Sequence, residues 1–193
     1  YFKYMFIQTE MTPNPSTLKF IPETNVLESG TYEFRNKEEA SASKLATNLF
    51  ENKAVTNVFF GKDFITITKK DGYEWEMIKP DILSKIMNFF SSDAPVVEPT
   101  TKSSNSSDGI EDYAGDELKI VKQIKVLLDE KIKPAVAQDG GDINFVKLKD
   151  NIVFLELRGA CAGCPSSTLT LKSGIENMLK YYIPEIVSVE AVN

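Results

Sequence analysis

Leu157-Arg158-Gly159-Ala160-Cys161-Ala162-Gly163-Cys164-Pro165-Ser166-Ser167-Thr168-Leu169 holds both cysteines of the 193-residue chain. An alternating run leads in, with Val153, Leu155 and Leu157 on one face. A helical pattern leads out, with Leu171, Ile175, Met178, Leu179 and Tyr182 recurring at i, i+4, i+7, i+8 and i+11. The stretch therefore reads as a strand–helix corner. Pro165 suits the first helical position, where a missing N–H costs nothing. That makes Cys164 the expected N-cap and puts Cys161 in the loop before it. The positive end of the helix dipole and its free N–H groups favour thiolate over thiol, and Gly159 and Gly163 keep Cβ atoms away from a bulky ligand.

Two thiolates at this spacing can chelate one metal or close a small disulfide. The chain has no histidine, so one copy cannot complete a site of four Cys or His ligands. With full thiolate ligation the missing ligands come from a second chain or an external thiol.

Outward from the corner, Asp116 can cap a helix with Leu118, Val121, Ile124, Leu128 and Ile132 on its apolar face, which Pro134 ends or kinks. Asp139-Gly140-Gly141-Asp142 reads as a tight turn rather than a metal site. Strands at 143–149 and 152–158 meet at Asp150-Asn151, and a last strand covers 186–192. The expected order is α-β-β-α-β over residues 116–193. Residues 91–115 change character to serine, proline and acid without apolar periodicity, a flexible linker spanning roughly 25–30 Å as a coil. Residues 1–90 form the other domain. Strands are expected at 4–10, 17–21 and 31–34, and a helix from Glu38 presents Ala42, Leu45, Ala46, Leu49 and Phe50. A hairpin of 55–60 with 64–68 follows, then a helix opened by Pro80 with Trp75 and Met77 packed at its entrance. The fold class is α+β, two small domains on a flexible linker.

Hydrophobic residues make up 42% of the chain, enough for packed cores, and no apolar run has the length of a membrane span. The net charge of −6 concentrates in the expected linker, and neither end has the basic excess of a nucleic-acid binder. Two cysteines are too few for a secreted disulfide framework, which points to a reducing compartment. The beginning, Tyr1-Phe2-Lys3-Tyr4-Met5, has no secretory or transit pattern, so a leader is either lacking or already removed.

Gln138-Asp139-Gly140-Gly141-Asp142 followed by Gly159-Ala160-Cys161-Ala162-Gly163-Cys164-Pro165-Ser166-Ser167-Thr168-Leu169 resembles the C-terminal domain of NifU, shared by the Nfu iron–sulfur proteins. Phe6-Ile7-Gln8-Thr9-Glu10-Met11-Thr12-Pro13-Asn14-Pro15-Ser16-Thr17-Leu18-Lys19-Phe20 resembles the Nfu N-terminal domain. The resemblance implies a cluster carrier and not an enzyme. Cys161 and Cys164 of two protomers would hold a shared [4Fe–4S] cluster, with [2Fe–2S] as the other form, in a cluster-bridged homodimer. Its partners would be upstream assembly factors and apo-protein clients, in the mitochondrial matrix or the bacterial cytoplasm. Two other readings compete: a CxxC thiol–disulfide oxidoreductase and a dimer-bridging zinc protein. Against the first, no βαβ unit precedes the motif, and no aromatic or acid–base residue lies between or immediately beside the cysteines. The N-terminal domain carries no catalytic set and falls, by elimination, to partner or client recognition.

Overall fold

A computed structural model describes residues 5–92, 94–98, 112–163 and 165–192. The chain divides into two compact units, residues 1–105 and 106–193.

In the first unit β1 (Ile7–Met11), β2 (Thr17–Pro22), β3 (Tyr32–Phe34), β4 (Val55–Phe60) and β5 (Ile65–Lys69) form one antiparallel sheet, ordered β1-β2-β5-β4-β3. Register puts Leu18 opposite Ile67, Phe20 opposite Ile65, and Val58 and Phe60 opposite the same two isoleucines. Successive side chains of a strand alternate faces, so this register gathers the large apolar residues on one side. Helices α1 (Lys44–Leu49) and α2 (Trp75–Phe90) bury Leu45, Leu49, Ile82 and Ile86 in the same core. Ser43 caps α1, its Oγ accepting from Ala46 N at 3.1 Å.

Pro80 does not open α2 but lies inside it, five residues after Trp75. The helix forgoes one N–H bond at Pro80 and starts at Trp75, whose Nε1 donates to the Pro15 carbonyl at 3.2 Å. Trp75 packs against the core, while Met77 is 77% exposed. Residues 94–98 are not free linker: Val96 is buried in the first core, its carbonyl accepts from Ser43 Oγ, and Glu98 N donates to the Ala42 carbonyl. Two valines and backbone pairing outweigh the serine- and acid-rich composition around them. Residues 93 and 99–111 of the expected linker, and the start of the expected first strand, Tyr4, lie outside the described residues.

The second unit has the element order α-β-β-α-β. Its first helical stretch runs as α3 (Gly115–Leu127), one π turn at Leu128–Ile132, and α4 (Lys133–Gln138). Of the two expectations for Pro134, an end or a kink, the end is not met: the helix goes on to Gln138, and its departure from α geometry is the π turn just ahead of the proline. The wider π turn absorbs the missing N–H and the ring's bulk against the carbonyl four residues back. Asp116 is not a cap; it stands in the first turn and pairs with Lys119 on the surface. Packing begins before residue 116, since Tyr113 stacks edge-on against Phe145 and its hydroxyl accepts from Leu148 N at 2.8 Å.

Strands β6 (Gly141–Lys149) and β7 (Ile152–Gly159) are antiparallel, and β8 (Ser188–Val192) adds to β7 in parallel. Asp150 and Asn151 both take positive φ, 52° and 58°, the two-residue turn that matches strand twist. A bulge between Phe145 and Lys147 leaves Val146 exposed. Val153, Leu155 and Leu157 face the core with Ile175 and Leu179 of α5 (Pro165–Tyr182), the helix that carries the chain from β7 back to β8. Tyr182 is 44% exposed rather than core-facing. The helix ends on it, the chain turns, and Ile183 takes the buried place.

Candidate metal centre

Gly159 ends β7 with φ of 63°, a left-handed conformation that favours glycine and turns the chain off the sheet. Ala160 N then donates to the Gly140 carbonyl at 3.1 Å, and Ala162 N to the Gly159 carbonyl at 3.1 Å. These bonds fold the loop back toward the start of β6. Cys161 is buried, 7% exposed, within the second unit's core. Thr168, in the first turn of α5, donates from Oγ1 to the Cys161 carbonyl at 3.1 Å. That bond ties the loop to the helix it precedes. Pro165 is the first residue of α5, and the expected N-cap, Cys164, lies outside the described residues.

The electrostatics at Cys161 reverse the expectation of a ready thiolate. Burial, and then the negative charges of Asp139 and Asp142, push its thiol from 9.0 up to about 12. Desolvation disfavours the charged form, and like charge nearby disfavours it again. The helix-dipole reasoning fails for this residue because Cys161 has folded back among apolar side chains.

The Asp139–Asp142 stretch is a turn: Gly140 has φ of 82°, and its N–H donates to the Ala137 carbonyl at 3.0 Å. It is also part of the cysteine corner, because Gly141 pairs with Gly159 in register and lies under Cys161. Sequence reasoning keeps the two motifs apart. It misses Thr168 as well, whose position seven residues after Cys161 gives no separate signal. Among the described residues no group of three or more Cys, Asp or Glu converges on a metal-sized point. The chain has no histidine, so the soft ligands its sequence gives this corner for iron or zinc are thiols, with the carboxylates of Asp139 and Asp142 close enough to act on Cys161.

Comparison with known proteins matches residues 7–93 to the family described as "Scaffold protein Nfu/NifU N terminal" and residues 124–190 to the "NifU-like domain". The chain is 48% identical over 191 residues to the Homo sapiens "NFU1 iron-sulfur cluster scaffold homolog, mitochondrial", covering 98% of this chain and 73% of that protein. It is 47% identical to the protein of the same name from Drosophila sechellia, covering 97% of this chain and 65% of that one. The chain thus spans about two thirds to three quarters of the length of these relatives. A solution structure of a NifU-like protein from Saccharomyces cerevisiae aligns with 28% identity and a TM-score of 0.46, over 49% of this chain and 86% of that one. On 47–48% identity to these relatives over 97–98% of the chain, and on the two family matches, the chain belongs to the Nfu/NifU scaffold protein family.

Proposed function

We propose that this chain is an iron–sulfur cluster scaffold that holds one [4Fe–4S] cluster between two copies, through Cys161 and Cys164 of each, and passes it to apo-proteins. The observation that carries the reading is the donor set: two cysteines per chain, both at one strand–helix corner, and no histidine. Four thiolates is the ligand count of such a cluster, and two copies supply it. Soft thiolates suit iron–sulfur cargo. Family membership supports the scaffold role.

Each ligand to iron is a thiolate, so loading sends the Cys161 proton to solvent as the iron–sulfur bond forms. In delivery, a client thiolate replaces a scaffold thiolate at iron, and the displaced cysteine takes a proton back. A cluster anchored by only two bonds to each chain is freed as the copies part, which suits delivery better than permanent electron transfer. The first unit, which contributes no cysteine, serves in recognition of clients or upstream assembly factors. The relatives carry the word mitochondrial in their names, which supports the mitochondrial matrix as the place of action.

The test is anaerobic reconstitution of the full chain with iron and sulfide, beside Cys161→Ser and Cys164→Ser. The expected result is charge-transfer absorption in the parent and its loss in both variants, with unchanged circular dichroism. A zinc site or a disulfide oxidoreductase would be colourless. A single variant that keeps a full, stable cluster refutes the ligand assignment.

A further inference from the structure

Gly140 and Gly141 are adjacent glycines with different reasons to be glycine. Gly140 needs its φ of 82°. Gly141 does not: it begins β6 in an extended conformation that any residue adopts. What distinguishes position 141 is the space above it. A Cβ built there would lie 2.5 Å from Cys161 Sγ, 2.8 Å from the Arg158 carbonyl oxygen and 3.2 Å from Cys161 Cβ. The first two separations are closer than packed atoms tolerate, and a close-packed interior has no slack to absorb them.

The backbone explains how the overlap arises. Gly141 and Gly159 face each other at the end of the β6–β7 ladder, so no side chain stands on either strand at that rung. The turn at Gly159, the Ala160–Gly140 backbone bond and the Thr168–Cys161 bond bring the thiol back over the bare rung. We propose that Gly141 is a positioning residue for Cys161, the absent Cβ at 141 being the space in which the Cys161 side chain rests. The proposal rests on the reading of Cys161 as a cluster ligand and adds what places it. Any side chain at 141 forces Sγ to swing out or the end of β7 to move, and the thiol then leaves its position relative to α5.

A double-mutant cycle in the full chain tests this without any cluster, by hydrogen exchange of the peptides covering β6 and β7. Gly141→Ala is expected to speed their exchange by about tenfold or more, the scale of overpacking a core. In the Cys161→Ala background the same change is expected to cost at least threefold less than in the parent, the remaining cost coming from the Arg158 carbonyl oxygen, which stays in place. Equal costs in both backgrounds would assign the clash to the Arg158 backbone alone and overturn the proposal, as would a Gly141→Ala chain that exchanges like the parent. If Gly141→Ala fails to fold, recovery of folding in the double variant supports the proposal, and continued failure overturns it. A second arm reconstitutes Gly141→Ala, which keeps both cysteines, and expects several-fold less cluster per chain than the parent. Parent-like loading would show that the placement is irrelevant to ligation. A parent that takes up no cluster would sink the functional reading while leaving the coupling measured between Gly141 and Cys161 intact.

Discussion

The buried, electrostatically disfavoured thiolate of Cys161 makes a quantitative prediction about its reactivity. In a Cys164→Ser chain Cys161 is the sole thiol. At pH 8 a cysteine with a pKa of 9.0 is thiolate about one time in ten, and one raised to about 12 about one time in ten thousand. That is ~1000-fold less nucleophile. A more basic thiolate is also intrinsically more nucleophilic, and a Brønsted slope of ~0.4–0.5 returns about 20-fold. The net expectation is alkylation by iodoacetamide at least ~50-fold slower in the folded chain than in the same chain unfolded by guanidinium, before any further slowing from burial. The folded rate should also keep climbing with pH past 9, where the unfolded rate levels off. Because the folded state holds the proton more tightly, the stability linked to this thiol is present below pH 9.0 and lost as pH rises toward about 12. Asp139→Asn and Asp142→Asn should each raise the alkylation rate by removing a negative charge. Mass spectrometry of timed quenches measures all of these rates, and a folded rate within about threefold of the unfolded one refutes the reasoning.

Ser43→Ala removes both the α1 cap and the bond to the Val96 carbonyl. It should cost about 1–2 kcal/mol by denaturant unfolding and release residues 94–98 to faster hydrogen exchange. A fragment of residues 112–193 should fold and take up iron and sulfide, and Tyr113→Phe within it should cost about 1 kcal/mol through the lost bond to Leu148 N; a fragment that folds but binds neither would mean the two units share the site. Glu176 is held below the usual carboxylate range by its bond from the Lys180 side chain, then by Val189 N. Its stabilisation is therefore present above that usual range and lost as pH falls through the lowered value, so the protection of β8 amides relative to their intrinsic exchange rate should fall in acid, and Glu176→Gln should abolish that dependence.

Much of this architecture is legible in the sequence because burial leaves a period. The alternation of Val153, Leu155 and Leu157 and the stripe through Ile175 and Leu179 place the cysteines at a strand–helix corner. Asp150-Asn151 announces its turn through residues that tolerate positive φ. The differences share a cause, which is that tertiary partners override local signals. Pro80 reads as a start and Pro134 as an end or a kink, but α2 already begins at Trp75, and a π turn carries the other helix past its proline. Tyr182 continues the apolar stripe by count, yet the helix stops there and Ile183 turns inward. Residues 94–98 look like linker because composition cannot show that Ser43 has a carbonyl to bond there. The cysteine corner is half legible: the pair and its lack of histidine partners can be counted, whereas the contact of Gly141 with Cys161 joins residues 20 positions apart and appears only when β6 and β7 are paired.

Native mass spectrometry of the anaerobically reconstituted full chain tests the central claim most directly. Two chains carrying one [4Fe–4S] cluster are expected, separating into cluster-free chains when a chelator is added. One cluster held by a single chain, with small thiols such as glutathione completing the ligation, would contradict the two-copy site.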